Sequence, residues 1–137
     1  MTVAELFEPS SPLARKAAAR GGDPVAAAEA ALGELTEEER VATLNAHPRI
    51  GAPARHLSEH SRREQGGEDD PAVLAELARL NQEYERKFGF RFVVFVNGRP
   101  RSAILEVLRR RILRTREEEL REGLAAIIAI ARDRAGR

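Results

Sequence analysis

The sequence predicts an all-α protein, a bundle of about seven or eight helices with one short extended segment at about residues 90–97. Three observations carry this reading. Apolar residues recur at steps of three and four along most of the chain, the spacing that lines up one face of an α-helix. Helix starts are signalled repeatedly, by Ser or Asp directly before Pro or by Thr with Glu three residues on. Residues that favour strands are concentrated in a single run, Phe88-Gly89-Phe90-Arg91-Phe92-Val93-Val94-Phe95-Val96, which holds four of the five phenylalanines.

Taken in order, Thr2 caps a short opening helix, and Ser11-Pro12 starts a second that runs from Leu13 to Arg20 before Gly21-Gly22. Asp23-Pro24 opens an Ala-rich helix to Leu32, closed by Gly33. Thr36 and Glu39 form a capping box for a helix through Val41 and Leu44 to about Ala46. Pro48 ends it, because a proline pushes the residue before it, His47, out of the helical region. Residues 49–55 read as loop and Leu57 to Gln65 as helix, stopped by Gly66-Gly67. Asp70-Pro71 then begins a long helix whose apolar face carries Val73, Leu77, Leu80, Tyr84 and Phe88. Beyond the Phe-rich run, Gly98 gives a turn and Pro100 a helix start, with Ile104, Leu105, Leu108 and Ile112 on one face. Thr115 and Glu118 box the last helix, striped by Leu120, Leu124, Ile127, Ile128 and Ala131.

A length of 137 residues fits one domain over the whole chain, built on one core. Acidic and basic residues nearly cancel, leaving a formal net charge of +1, which argues against general attraction to nucleic acid or to anionic membranes. The basic residues are 21 Arg and two Lys, and arginine is the better clamp for a carboxylate. Cysteine is absent, which removes disulfides, thiol nucleophiles and Cys-based metal sites. No apolar run has the length of a membrane span and no signal-peptide pattern opens the chain, so a cytoplasmic protein is expected.

Three constellations could carry chemistry. His56-Leu57-Ser58-Glu59-His60 matches the H-x-x-E-H arrangement of zinc peptidases, with both histidines on one helix face. Glu64 extends the same face but lies two turns from His56, about 12 Å along the axis, which argues against all three ligands coming from one helix and leaves a third ligand from elsewhere open. Ser61, Glu64 and Gln65 share a helical surface and together offer a hydroxyl, a carboxylate and a carboxamide, suited to a substrate with several N–H and C=O groups. His47-Pro48-Arg49-Ile50-Gly51 sets a histidine on a fixed backbone at a helix end, and histidine is the side chain best suited to moving protons near neutral pH. The Phe-rich run poses its own question, since a lone extended segment has no obvious partner for its peptide groups. It could pair with another chain, with an irregular segment of its own, or line a cavity that takes an amide-rich ligand.

Together these stretches resemble one family, the 2-oxo-4-hydroxy-4-carboxy-5-ureidoimidazoline (OHCU) decarboxylases of urate breakdown. The likeness rests on His47-Pro48-Arg49-Ile50-Gly51, on Ser61-Arg62-Arg63-Glu64-Gln65-Gly66, and on Leu80-Asn81 through Tyr84 to Phe88-Gly89-Phe90-Arg91-Phe92-Val93-Val94. It implies an all-helical fold, conversion of OHCU to (S)-allantoin with loss of CO2, no metal or organic cofactor, and a homodimer. By position it places the catalytic histidine on His47 and its acidic partner on Glu64. Substrate contacts fall on Pro48, on Ser61, Arg62, Arg63, Glu64 and Gln65, and on Phe92, Val93, Val94, Phe95 and Val96. Two departures stand out. This chain has His-Pro-Arg-Ile-Gly-Ala where many members have His-Pro-Asp-Leu-Ala-Gly, and Asn97 where many carry a basic residue. Arg91, Arg99 or Arg134 is then the candidate to hold the substrate carboxylate. The ending Ala135-Gly136-Arg137 lacks a peroxisomal address, as expected of a bacterial-type cytoplasmic protein. The competing readings are an Arg-rich helical module, Arg109 to Arg116, docking on an acidic partner or RNA, and the zinc peptidase.

Overall fold

The computed structural model describes residues 1–50 and 70–137. Among them run seven helices: α1 (Val3–Leu6), α2 (Pro12–Arg20), α3 (Pro24–Leu32), α4 (Glu37–Ala46), α5 (Pro71–Phe88), α6 (Arg101–Arg111) and α7 (Arg116–Ala135). The expected helix over Leu57–Gln65 lies outside the described residues.

The start signals do their work in the predicted places. Thr2, Thr36 and Thr115 each accept from the backbone N–H three residues on, with Glu5, Glu39 and Glu118 closing the boxes. Ser11, Asp23 and Asp70 cap helices whose first residue is proline. Pro100 is the weaker start: it offers no side-chain cap, and α6 begins only at Arg101.

The last helix organises the packing. α7 contacts α1, α3 and α4, while α2 packs on α3 and α4, and α5 pairs with α6. Its crossing with α4 is close because Gly123 faces Leu44: a Cβ at Gly123 would sit 2.8 Å from Leu44 Cδ2. Leu13, Ala17, Leu44, Ile104 and Leu108 are completely buried in the core that results. A second focus is aromatic. Tyr84 meets Phe88, Phe90 and Phe92 at centroid distances of 4.6, 6.1 and 5.3 Å, mostly tilted or edge-on, the favoured geometry for rings.

The Phe-rich ribbon leaves α5 at Gly89 and runs without regular secondary structure from Arg91 to Val96. It ends in a turn at Asn97-Gly98, both with positive φ. Among the described residues no strand pairs with it. Arginine side chains take its carbonyls instead: Arg111 Nη1 donates to Val93 O at 2.8 Å, and Arg99 donates to Phe95 O at 2.6 Å and to Val96 O at 3.0 Å. The carbonyls of Val93, Phe95 and Val96 thus find side-chain partners in place of a neighbouring strand.

Candidate active site

His47 is the C-cap residue of α4, extended at φ −77° and ψ 139° as the following proline demands. Its N–H donates to Leu44 O at 3.1 Å, and its carbonyl accepts from Arg91 Nη1 at 2.9 Å. The Arg91 N–H in turn donates to Asn45 Oδ1 at 2.9 Å, so two hydrogen bonds lace the start of the ribbon to the end of α4. From the other side, Arg49 forks onto Glu85 of α5 at 2.8 and 3.0 Å. A histidine backbone fixed from both sides is what a proton-handling ring needs.

His47 keeps part of its surface and lines a narrow cleft of about 10 Å³, room for about one water molecule, between the α1–α2 connection, α4 and α7. Leu6, Phe7, Ile127 and Ile130 make the apolar lining, while Glu8, Ser11, Thr43 and Arg134 add polar groups. Two of these are engaged structurally. Ser11 Oγ caps α2, and Thr43 Oγ1 donates to Glu39 O at 2.8 Å while accepting from the Leu13 N–H at 3.3 Å. Arg134, 3% exposed, is held by a 3.0 Å bond from Nη1 to Leu6 O.

This setting changes the histidine. Burial, and then the positive charges of Arg134 and Arg91, lower its pKa from the ordinary value to about 4. At neutral pH the ring is therefore uncharged, able to accept a proton, and next to a cationic group that suits a carboxylate.

The other expected contacts divide. Pro48 is half-buried beside His47. Phe92, Val93 and Val96 are buried, with the Phe92 ring in the aromatic core, while Val94 and Phe95 are half-buried. Glu64, Ser61, Arg62, Arg63 and Gln65 lie outside the described residues. All three arginine candidates donate to a backbone carbonyl, Arg99 to Phe95 O, Arg91 to His47 O and Arg134 to Leu6 O, and Arg134 is the one that also lines the cleft.

One group escaped sequence reasoning. Glu119, fully buried on α7, accepts from Tyr84 Oη at 2.6 Å and from Arg111 Nε at 2.8 Å. Burial and the bond to Glu119 push the Tyr84 phenol well above its ordinary pKa, which makes it a fixed neutral donor. A signal was present. Glu119, Gly123, Ile127, Ile130 and Arg134 fall at steps of four and three, all buried, so α7 carries a charge at each end of an otherwise apolar or glycine stripe.

The Arg-rich stretch is largely neutralised within the chain: Arg109 pairs with Glu106, Arg114 with Glu118 and Glu122, and Arg116 with Glu37. That leaves little free charge for RNA or an acidic partner. His56 and His60 of the zinc reading lie outside the described residues. No helix among the described residues is long and apolar enough to cross a membrane.

The helical fold thus sets an uncharged, desolvated imidazole beside a buried arginine, an arrangement suited to proton handling next to an anionic group. Comparisons with known proteins give the family. A family model described as OHCU decarboxylase matches residues 1–136, and the chain belongs to the OHCU decarboxylase family, a family of carboxy-lyases in urate degradation. The uric acid degradation bifunctional protein PucL of Bacillus subtilis (strain 168) is 33% identical over 101 residues, 71% of this chain and 20% of that protein. A uric acid degradation bifunctional protein of Bacillus sp. (strain TB-90) is 29% identical over 104 residues, 70% of this chain and 20% of that protein. The chain thus spans about a fifth of the length of these curated relatives. In fold it is similar to a crystal structure of OHCU decarboxylase in the presence of (S)-allantoin, with a TM-score of 0.74 at 23% identity over 91% of this chain and 88% of that one. An (S)-allantoin synthase structure matches with a TM-score of 0.64 at 21% identity over 98% of this chain and 52% of that one.

Proposed function

We propose that this chain, acting as one domain and as a cytoplasmic homodimer, converts OHCU to (S)-allantoin with loss of CO2. The observation that carries the reading is the His47 cleft, in which an uncharged imidazole and the Arg134 guanidinium share one apolar-walled space. Arg134 binds the substrate carboxylate. Breaking the C–CO2 bond leaves an electron pair on the ring carbon, and the adjacent C=N accepts it, so the reaction needs no cofactor as electron sink. His47 handles the proton of the substrate hydroxyl or of the enediol that develops, and Glu64 orients His47 or that hydroxyl. Ser61, Gln65 and the backbone N–H groups of Phe92–Val96 fix the ring and the ureido arm, the Val93, Phe95 and Val96 carbonyls being held by Arg111 and Arg99. A proton delivered from one face sets the handedness of the product. The apolar walls keep water out and strengthen each of these contacts. The test is to generate OHCU in place from urate and to follow the optical activity of the allantoin. Enzyme-dependent formation of the (S) product is the expected result, and allantoin that stays racemic at the uncatalysed rate would reject the reading.

The pH dependence follows from the depressed imidazole. The group must be uncharged to accept a proton, so kcat/KM is expected to hold level through neutral pH and to fall as the pH drops through about 4. Stability has the same sign. Between the ordinary imidazole value and about 4 the unfolded chain binds a proton that the native state refuses. Lowering the pH across that window therefore favours unfolding. Urea midpoints measured from pH 7 downward should decline in wild type more steeply than in His47→Gln, and parallel curves would show that the ring is not desolvated.

A further inference from the structure

Arg111 is buried, yet its guanidinium divides its bonds between two elements. Nε donates to Glu119 Oε1 and Nη1 to Val93 O, both at 2.8 Å, while the planar group lies 4.7 Å above the Phe92 ring. Glu119 is held in place by Tyr84, and its Oε2 lies 3.3 Å from Arg114 Nη1. An ion pair that only filled the core would not need the ribbon. Here the middle of an irregular segment is located by a charge-assisted bond to a cation that α7 in turn positions.

The contact also acts on the peptide beyond the carbonyl. Val93 C=O and Val94 N–H belong to one peptide unit, and a cation bonded to the oxygen polarises the unit, making the N–H a stronger donor. The Val94 N–H has no hydrogen-bond partner among the described residues, and Val94 is half-buried. We infer that Arg111, held by Glu119 and Tyr84, is a positioning residue that fixes the place and the donor strength of the Val93–Val94 peptide for a carbonyl of the substrate. The inference rests on the reading that the Phe92–Val96 backbone faces the substrate.

Arg111→Lys tests it. An ammonium on a shorter, unforked side chain keeps the pair with Glu119 and gives up the second bond to Val93 O. The KM for OHCU is expected to rise roughly two- to tenfold, at most the worth of one neutral amide–carbonyl hydrogen bond, with kcat much less affected. Amide exchange across Phe92–Val96 should quicken in the substrate-free protein as the ribbon loosens. Asp23→Ala is the control: it removes a cap from α3 and costs stability without touching the ribbon, so its KM should stay at the wild-type value. Where Arg111→Lys does not fold, Glu119→Gln keeps an acceptor for Tyr84 and Arg111 and should raise KM in the same direction by less. A KM in either Arg111→Lys or, failing it, Glu119→Gln no higher than in Asp23→Ala, or ribbon exchange equal to wild type, overturns the inference. Wild-type protein that leaves OHCU untouched overturns the functional reading first, and is recognised before any variant is made.

Discussion

His47→Ala is expected to fold like wild type and to lose about 10²–10⁴ in kcat for (S)-allantoin formation, the usual worth of a positioned acid–base group. The fold should survive because the hydrogen bonds that fix this residue are made by its backbone: the N–H to Leu44 O, and the carbonyl to Arg91. Pro48 imposes the extended conformation whatever side chain precedes it. The loss therefore reports on the ring alone. A melting temperature close to wild type together with the drop in kcat would assign proton handling to His47. An unchanged kcat, with the product still of one hand, would remove His47 from the reaction and leave the cleft as a binding feature only.

Glu119→Ala is expected to have the largest effect on stability, about 3–5 kcal/mol, the usual cost of breaking a buried ion pair by deleting one partner. The carboxylate is fully buried, and it serves the Tyr84 hydroxyl and the Arg111 guanidinium at once. Its removal leaves a buried cation without its counter-charge and a buried phenol without an acceptor, and neither can reach water. Such a loss is a large share of the roughly 5–15 kcal/mol that holds a domain folded. Glu122 provides the contrast. It pairs with Arg114 at 3.0 Å, but 46% of its side-chain surface remains exposed, so Glu122→Ala should cost at most about 1 kcal/mol. Urea unfolding of the two variants decides the matter. Midpoint shifts of equal size would mean that the Glu119 network contributes no more than a surface pair.

These two sites differ in how far the sequence reveals them. His47 announces itself because the following proline fixes where its helix stops, a rule that acts between adjacent residues. The capping boxes at Thr36 and Thr115 are equally local, as are the starts at Ser11, Asp23 and Asp70, and the structure has helices beginning at each. The Phe-rich run was recognisable as extended from its composition. Nothing in its composition says that arginines from the next two segments would take its carbonyls, because Arg111 is eighteen residues from Val93 in the chain.

The sequence alone determined the helical class, most helix boundaries, the break at His47 and the family to which these motifs point, since each depends on contacts within a few residues or on short ordered patterns. Tertiary structure alone decided which charges are buried and whom they meet. Arg134 beside His47, and Arg111 between Glu119 and the ribbon, come together only when α7 packs against the rest of the bundle. Burial is what turns an ordinary histidine into an uncharged base and an ordinary arginine into a fixed anchor, and burial is a property of the packed chain.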